Sequence, residues 1–213
     1  DGTWTLADDT IAGALPDNAV GYDIVVTATD TLGNAGVDAT TNELRVDTTA
    51  PTVGVNAVST NEASPSITGT TNDNSATIQV SVNGQTVDAT NNSNGTWTLP
   101  GDVLTPLASG TYDIDATATD PAGNAGSANL PNGLFVDVTA PVIGVNTLVT
   151  TDTTPAITGT VDDAAAVILV TVAGQSENAT NNGNGTWTLA DNTLTALADG
   201  VYDVTATATD SLG

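Results

Sequence analysis

Ala76-Thr77-Ile78-Gln79-Val80-Ser81-Val82-Asn83-Gly84 is the stretch that decides the fold. Ala76, Ile78, Val80 and Val82 recur at every second position. In an extended strand that spacing puts them on one face and their polar neighbours on the other. An amphipathic helix would need apolar residues three and four apart instead. Asn83-Gly84 supplies the two positive-φ residues of a tight hairpin turn. Gln85 to Thr90 is then read as a short edge strand returning alongside.

The flanking sequence has the same texture. Thr52 to Val55, after Pro51, is the first strand; Ser66 to Thr70 is the second, closed by the polar turn Asn72-Asp73-Asn74. Thr96-Trp97-Thr98-Leu99 is another. Tyr112, Ile114, Ala116 and Ala118 alternate against Asp113, Asp115, Thr117 and Thr119, and Gly133 to Val136 closes the set. About seven short strands, rich in Thr and Val and divided by Gly, Pro, Asn and Asp, predict an all-β, two-sheet sandwich. Leu107 to Tyr112 is similar to the corner at which a Tyr precedes the penultimate strand of Ig-like sandwiches. Trp97 and Tyr112 are read as core residues rather than ligand platforms.

These segments recur. Thr27-Ala28-Thr29-Asp30, Thr117-Ala118-Thr119-Asp120 and Thr207-Ala208-Thr209-Asp210 stand 90 residues apart, as do Trp97 and Trp187. Trp4 lies 93 before Trp97, because the first copy has three extra residues between its Trp and its Tyr. A period of domain size means a string of modules set end to end. The expected division is a partial repeat at 1–47 with only C-terminal strands, a complete repeat at 48–137, and a repeat at 138–213 without its last strand.

Composition narrows the function. The chain carries 25 acidic residues, 22 of them Asp, against one cation, Arg45, and no His, for a net charge of −24. Such a surface repels phosphate backbones and anionic lipid, which excludes nucleic-acid partners and membrane-surface binding. There is no Cys for a disulfide or thiolate site. No run of 18 apolar residues is present, and residues 1–30 lack a basic head followed by an apolar core. Without His, Cys or Lys only carboxylate pairs remain for acid–base work, and an active site has little reason to recur in every module, so no enzyme activity is expected. An aromatic content of 3% argues against a carbohydrate platform. The Asn-x-Ser/Thr sequences at Asn91, Asn94, Asn178 and Asn184 are read as ordinary hairpin chemistry.

In a sandwich of this kind the turn after the second strand and the turn between the last two strands lie at the end where the chain enters. For the complete repeat these are Asn72-Asp73-Asn74 and Asp120 to Asn124; the entering linker is Asp47 to Pro51. Asp47, Asp73, Asp120 and Asn124 are therefore expected to converge. Asp137, Asp162, Asp163 and Asp210 hold the same places in the next copy, and Asp30 and Asn34 form the corresponding turn in the first. Carboxylates about 4 Å apart repel by about 4 kcal/mol near a protein surface. Ca2+ reverses that cost and accepts six to eight oxygen ligands, whereas Zn2+ prefers the absent His and Cys. The competing reading is that these residues only make Asx-turns.

The linker Asp-x-Thr-Ala-Pro (Asp47 to Pro51, Asp137 to Pro141), the strand Gly95 to Leu99 and the run Gly110 to Asn124 resemble the Ig-like repeats of giant bacterial surface adhesins and biofilm-associated proteins exported by type I secretion. The resemblance covers the whole chain. It implies a seven-stranded sandwich, an extracellular or cell-surface location, and Ca2+ at module junctions, with ligands on Asp47, Asp120, Asn124, Asp137 and Asp210. The expected function is a stalk that extends an adhesin, stiffened by Ca2+, whose partners are neighbouring repeats of the same chain. The alternative is a filament or matrix protein whose copies assemble by strand exchange.

Overall fold

The computed structural model of the chain describes residues 3–38 and 40–213; residues 1, 2 and 39 of the expected first repeat lie outside the described residues. Among the described residues sixteen strands form: β1 (Thr27–Thr29), β2 (Ala35–Val37), β3 (Val53–Val55), β4 (Val58–Thr60), β5 (Ile67–Thr71), β6 (Thr77–Val82), β7 (Gln85–Asn91) and β8 (Thr96–Leu99). They continue as β9 (Gly110–Thr119), β10 (Ala125–Val136), β11 (Ile143–Val145), β12 (Ile157–Val161), β13 (Val167–Val172), β14 (Gln175–Asn181), β15 (Thr186–Leu189) and β16 (Val204–Thr209). No helix occurs among the described residues. The fold is all-β and sandwich-like, as the alternation predicts.

Two compact bodies form, one of residues 1–56, 66–103 and 113–133, the other of 57–65, 104–112 and 134–213. In the first, β3, β5 and β8 pair in that order, β7 pairs both β8 and β6, and β6 pairs β9. Asn83 (φ 50°) and Gly84 (φ 75°) make the tight turn between β6 and β7. Ala76, Ile78, Val80 and Val82 are all buried, with Ile67, Trp97, Leu99, Ile114, Ala116 and Ala118.

β7 is more than a short edge. Gln85 to Ala89 pair β6, and then Thr90 and Asn91 turn to pair Thr98 and Trp97 of β8. One strand thus serves as the edge of both sheets and closes one flank of the sandwich. Asn91 holds the crossover: its Nδ2 donates to the carbonyls of Asp73 and Ala76, both at 2.9 Å.

Trp97 anchors the opposite sheet. Its indole N–H donates to the Gly54 carbonyl (3.0 Å). Gly69 lies between them: a Cβ there would come within 2.0 Å of that carbonyl and 2.4 Å of the ring. The strands can stack over the indole only because Gly69 has no side chain.

In the second body Val58, Ser59 and Thr60 of β4 run parallel to Leu134, Phe135 and Val136 at the end of β10. Here the Tyr112 hydroxyl donates to the Ala108 carbonyl (2.9 Å), so the half-buried Tyr fixes the corner by a hydrogen bond while Trp97 supplies the buried mass. The third copy repeats the construction: β11-β12-β15-β14-β13-β16, with β14 again crossing between sheets. Ile157, Val161, Ile168, Val170, Trp187 and Leu189 form its core. Trp187 donates to Gly144 at 3.0 Å, and Asn181 to Asp163 and Ala166.

The first copy is sparser. Its β1 and β2 form a two-stranded ribbon, Tyr22 bridges Leu44, and Trp4 is 62% exposed. The elements that cover Trp97 precede it by up to 43 residues, and no counterparts of them are described before Trp4.

Candidate functional site

Each linker is tied into the module it enters. Thr52 N donates to Asn72 Oδ1 (2.7 Å) and Asn72 N to the Thr52 carbonyl (3.2 Å). In the next copy Val142 N donates to Asp162 Oδ1 (2.7 Å) and Asp162 N to the Val142 carbonyl (3.1 Å). A neutral Asn and a charged Asp perform the same task, so it requires an oxygen and not a charge.

The turn from Asp120 to Asn124 is held from within. Asp120 N donates to the Asn124 carbonyl (3.0 Å), Asn124 N to Asp120 Oδ1 (2.8 Å), and Asn124 Nδ2 to Asp120 Oδ2 (2.8 Å). The same amide reaches the backbone carbonyl of Asp47 at 2.9 Å. Asp73 turns its Oδ1 to Ser75, taking the backbone N–H (2.7 Å) and the hydroxyl (2.6 Å). It lies near enough to Asp120 for the carboxylates to repel. Asn124 thus joins Asp120 to the Asp47 carbonyl, while Asp73 bonds Ser75 and makes no hydrogen bond to that trio. Arg45 pairs with the Asp47 carboxylate at 3.3 Å in an exposed bridge of little energetic weight.

Hydrogen bonding keeps these acids ionised. The Asn124 side chain holds the nearly buried Asp120 carboxyl below its ordinary value, and the Ser75 hydroxyl does so for Asp73 against burial and the repulsion of Asp120. Asp30 and Asn34 repeat the Asp120–Asn124 bonds at 2.9 Å and 2.7 Å, and the Asn34 side chain lowers the Asp30 carboxyl in the same way. Thr31-Leu32 in place of Pro121-Ala122 leaves the turn unchanged.

At the second linker Asp137 and Asp210 line one groove of about 260 Å3, with Val138 to Pro141 between them along the chain; Asp162 and Asp163 do not line it. Asp137 Oδ1 accepts from Thr139 N (3.1 Å) and the Ser109 hydroxyl (3.3 Å). Asp210 Oδ1 accepts from the backbone of Leu212 (2.7 Å) and Gly213 (2.9 Å), and Asp163 Oδ1 from Ala165 N (2.8 Å). Among the described residues no three carboxylates gather where they could hold a metal ion. At the first linker the Asn124 amide nitrogen stands between the Asp47 carbonyl and Asp120 Oδ2, so a cation would have to displace its N–H groups; the oxygens it would then meet are of the kind that Ca2+ takes and Zn2+ does not.

Two linker contacts are not legible in the motifs. Asp17 clasps the first linker: its carboxylate accepts from Thr48 N (2.9 Å), the Thr48 hydroxyl (2.6 Å) and the Thr49 hydroxyl (2.5 Å). The Thr48 hydroxyl is the main cause holding its carboxyl below the ordinary value. At the second linker Ser109 does this work, its Oγ accepting from Val138 N (3.0 Å) and bonding the Thr139 hydroxyl (2.9 Å). The three-residue insertion in the first copy hides Asp17 from any comparison by period.

Residues 53–137 and 144–213 match the bacterial Ig-like domain family, and the chain belongs to that family. No curated protein matches the chain. Among solved structures it is similar to a Ca2+-stabilized adhesin with which an Antarctic bacterium binds ice: 22% identity, 87% of this chain and 55% of that one, TM-score 0.41. It is also similar to a tetra-tandem repeat from the extending region of a large adhesion protein: 29% identity, coverage of 88% and 52%, TM-score 0.35. A third is a 1.5-MDa bacterial ice-binding adhesin: 19% identity, coverage of 77% and 66%, TM-score 0.37. The chain spans about half the length of the first two.

Proposed function

We propose that this chain is a spacer from the stalk of a bacterial extracellular adhesin, built of modules at 1–47, 48–137 and 138–213 and stiffened at the linkers by Ca2+. The observation that carries the reading is the tandem repetition of one bacterial Ig-like unit with its linker fastened in the same way each time, through Thr52–Asn72 and Val142–Asp162. A linker bonded into the following module transmits direction rather than acting as a free hinge. Catalysis has no place in the reading, since the chain offers no His, Cys or Lys.

The ion would be held at the first linker by Asp120 and the Asp47 carbonyl, with Asp73 and Asn124 beside them, and at the second by Asp137 and Asp210, toward which Asp162 and Asp163 would have to turn from their bonds to Val142 and Ala165; Asp30 and Asn34 supply the same turn in the first copy. Bound there, Ca2+ would neutralise facing carboxylates in a chain of net charge −24. Two neighbouring carboxylates with carbonyl partners suit the weak end of calcium affinity, about 10⁻⁴–10⁻³ M, typical of extracellular modules.

Small-angle scattering in millimolar Ca2+ and in chelator tests this. The expected result is a longer maximum dimension with Ca2+, abolished in the Asp73→Asn/Asp120→Asn variant. An unchanged dimension, with no heat of Ca2+ binding, removes the calcium joint from the reading.

A further inference from the structure

The central and third copies differ most tellingly on one outward face. In the central copy the exposed side of β7-β6-β9 follows the register Thr86–Ser81–Asp115, Asp88–Gln79–Thr117 and Thr77–Thr119. The equivalent side of β14-β13-β16 reads Ser176–Thr171–Thr205, Asn178–Leu169–Thr207 and Val167–Thr209. Both acids have gone, and Thr77 and Gln79 have become Val167 and Leu169, which are 64% and 43% exposed. The central face uses its polarity internally, Gln79 Nε2 donating to Asp88 at 3.0 Å. In the third copy only the Thr171–Ser176 hydroxyl pair survives, at 2.8 Å. Three acids flank the array: Asp210 directly follows Thr209, Asp203 stands two residues before Thr205, and the half-buried Glu177 lies between Ser176 and Asn178 on the other side of β14.

We propose that this face is the site at which two copies of the chain associate side by side. In a molecule of net charge −24, like-charged surfaces oppose close approach, and an array whose eight outward side chains are uncharged lowers that opposition against the central copy's face by two acids per partner. A cationic partner would choose the acid-bearing surfaces instead. A three-stranded face carrying Val, Leu and a Thr row can stack on another sheet face, and a two-fold contact would bring the same patch from each copy. Three strands about 4.8 Å apart and six residues of about 3.3 Å rise give roughly 300 Å2 per partner. A stable complex needs about 800 Å2 per partner. The contact is therefore weak for one pair and gains strength where many chains lie parallel, each contact raising the effective concentration of the next.

Amide NMR of the whole chain between about 0.05 and 2 mM tests it in the range where so small an interface associates. The expected result is concentration-dependent shifts confined to the eight array residues and their neighbours. They should grow as salt is raised from about 0.01 to about 1 M, which shortens the screening length from about 30 to about 3 Å. The variant Val167→Thr/Leu169→Gln/Asn178→Asp/Thr205→Asp installs the central copy's own residues, which that copy accommodates in the same register. It should keep the wild-type fold by circular dichroism and associate at least about tenfold more weakly. Absence of shifts at the highest concentration, shifts spread over other faces, or equal association by a folded variant would each overturn the proposal. So would shifts at the array that appear only with a neutral glucan and not with protein concentration. Should the four-fold variant misfold, Leu169→Gln alone gives the same comparison.

Discussion

The contact of Gly69 with Trp97 offers the sharpest test of how the sandwich is held. Replacing Gly69 by Ala places a methyl group 2.0 Å from the Gly54 carbonyl and 2.4 Å from Cε2 and Cζ2 of the indole. Neither neighbour is the loose end of a flexible chain: one is strand backbone, the other a fully buried ring. Overpacking of this kind costs about 1–3 kcal/mol. Pushing β3 away also breaks the 3.0 Å indole N–H bond to Gly54, and an unsatisfied buried donor costs about 1–3 kcal/mol more. The sum, about 2–6 kcal/mol, is a large share of the roughly 5–15 kcal/mol that holds a small domain together. At about 4–8 °C per kcal/mol for a domain of under 100 residues, the module should melt at least about 10 °C lower. Gly84→Ala is the control: nothing lies within 4 Å of that site, but its φ of +75° makes a left-handed Ala cost about 1–2 kcal/mol. Scanning calorimetry with tryptophan fluorescence would read both. If Gly69→Ala melts no lower than Gly84→Ala, the close approach does not carry the weight assigned to it.

Two further outcomes follow from individual contacts. The hairpin turn of the third copy has Ala173 at φ 50° where the central copy has Asn83 at the same angle, so Ala173→Asn should raise stability by about 1 kcal/mol, measured by urea unfolding. Asp17, Asp73 and Asp120 titrate below the ordinary 3.8 through hydrogen bonds made in the fold, so their stabilising effect is complete above that value. It fades as pH falls from there through each lowered value. Amide exchange at Thr48 and Asn124 should accordingly stay protected from neutral pH to about 5 and open below about 4. Asp17→Ala should open Thr48 already at neutral pH. Protection at Thr48 that persists unchanged into strong acid would show that the clasp is not what holds the linker.

Where side-chain periodicity sets the structure, the sequence was readable. Ala76 to Val82, Asn83-Gly84 and Trp97 fall where alternation and turn chemistry put them. β4 escaped notice because Val58-Ser59-Thr60 has no pattern of its own and becomes a strand through its parallel partner at 134–136. The early part of β10 was hidden by Gly126, Ser127, Pro131 and Asn132, residues that favour turns. Asn129 and Asn132 hold it by bonding Asp115 and Asp113 across the neighbouring strand. At the linker, the Asp-x-x-Gly-Asn turn could be foreseen. That one Asn124 amide would bridge Asp120 to the Asp47 carbonyl could not, since backbone acceptors leave no mark in a sequence.

The parallel pairing of β4 with the end of β10 bears on how the chain withstands tension. β4 follows β3 in the complete repeat, and Leu134–Val136 lies just before the linker that leaves it. A pull on the N-terminal end of β4 and the C-terminal end of β10 draws these parallel strands past each other along their own length. Their ladder bonds are then sheared together rather than unzipped one by one.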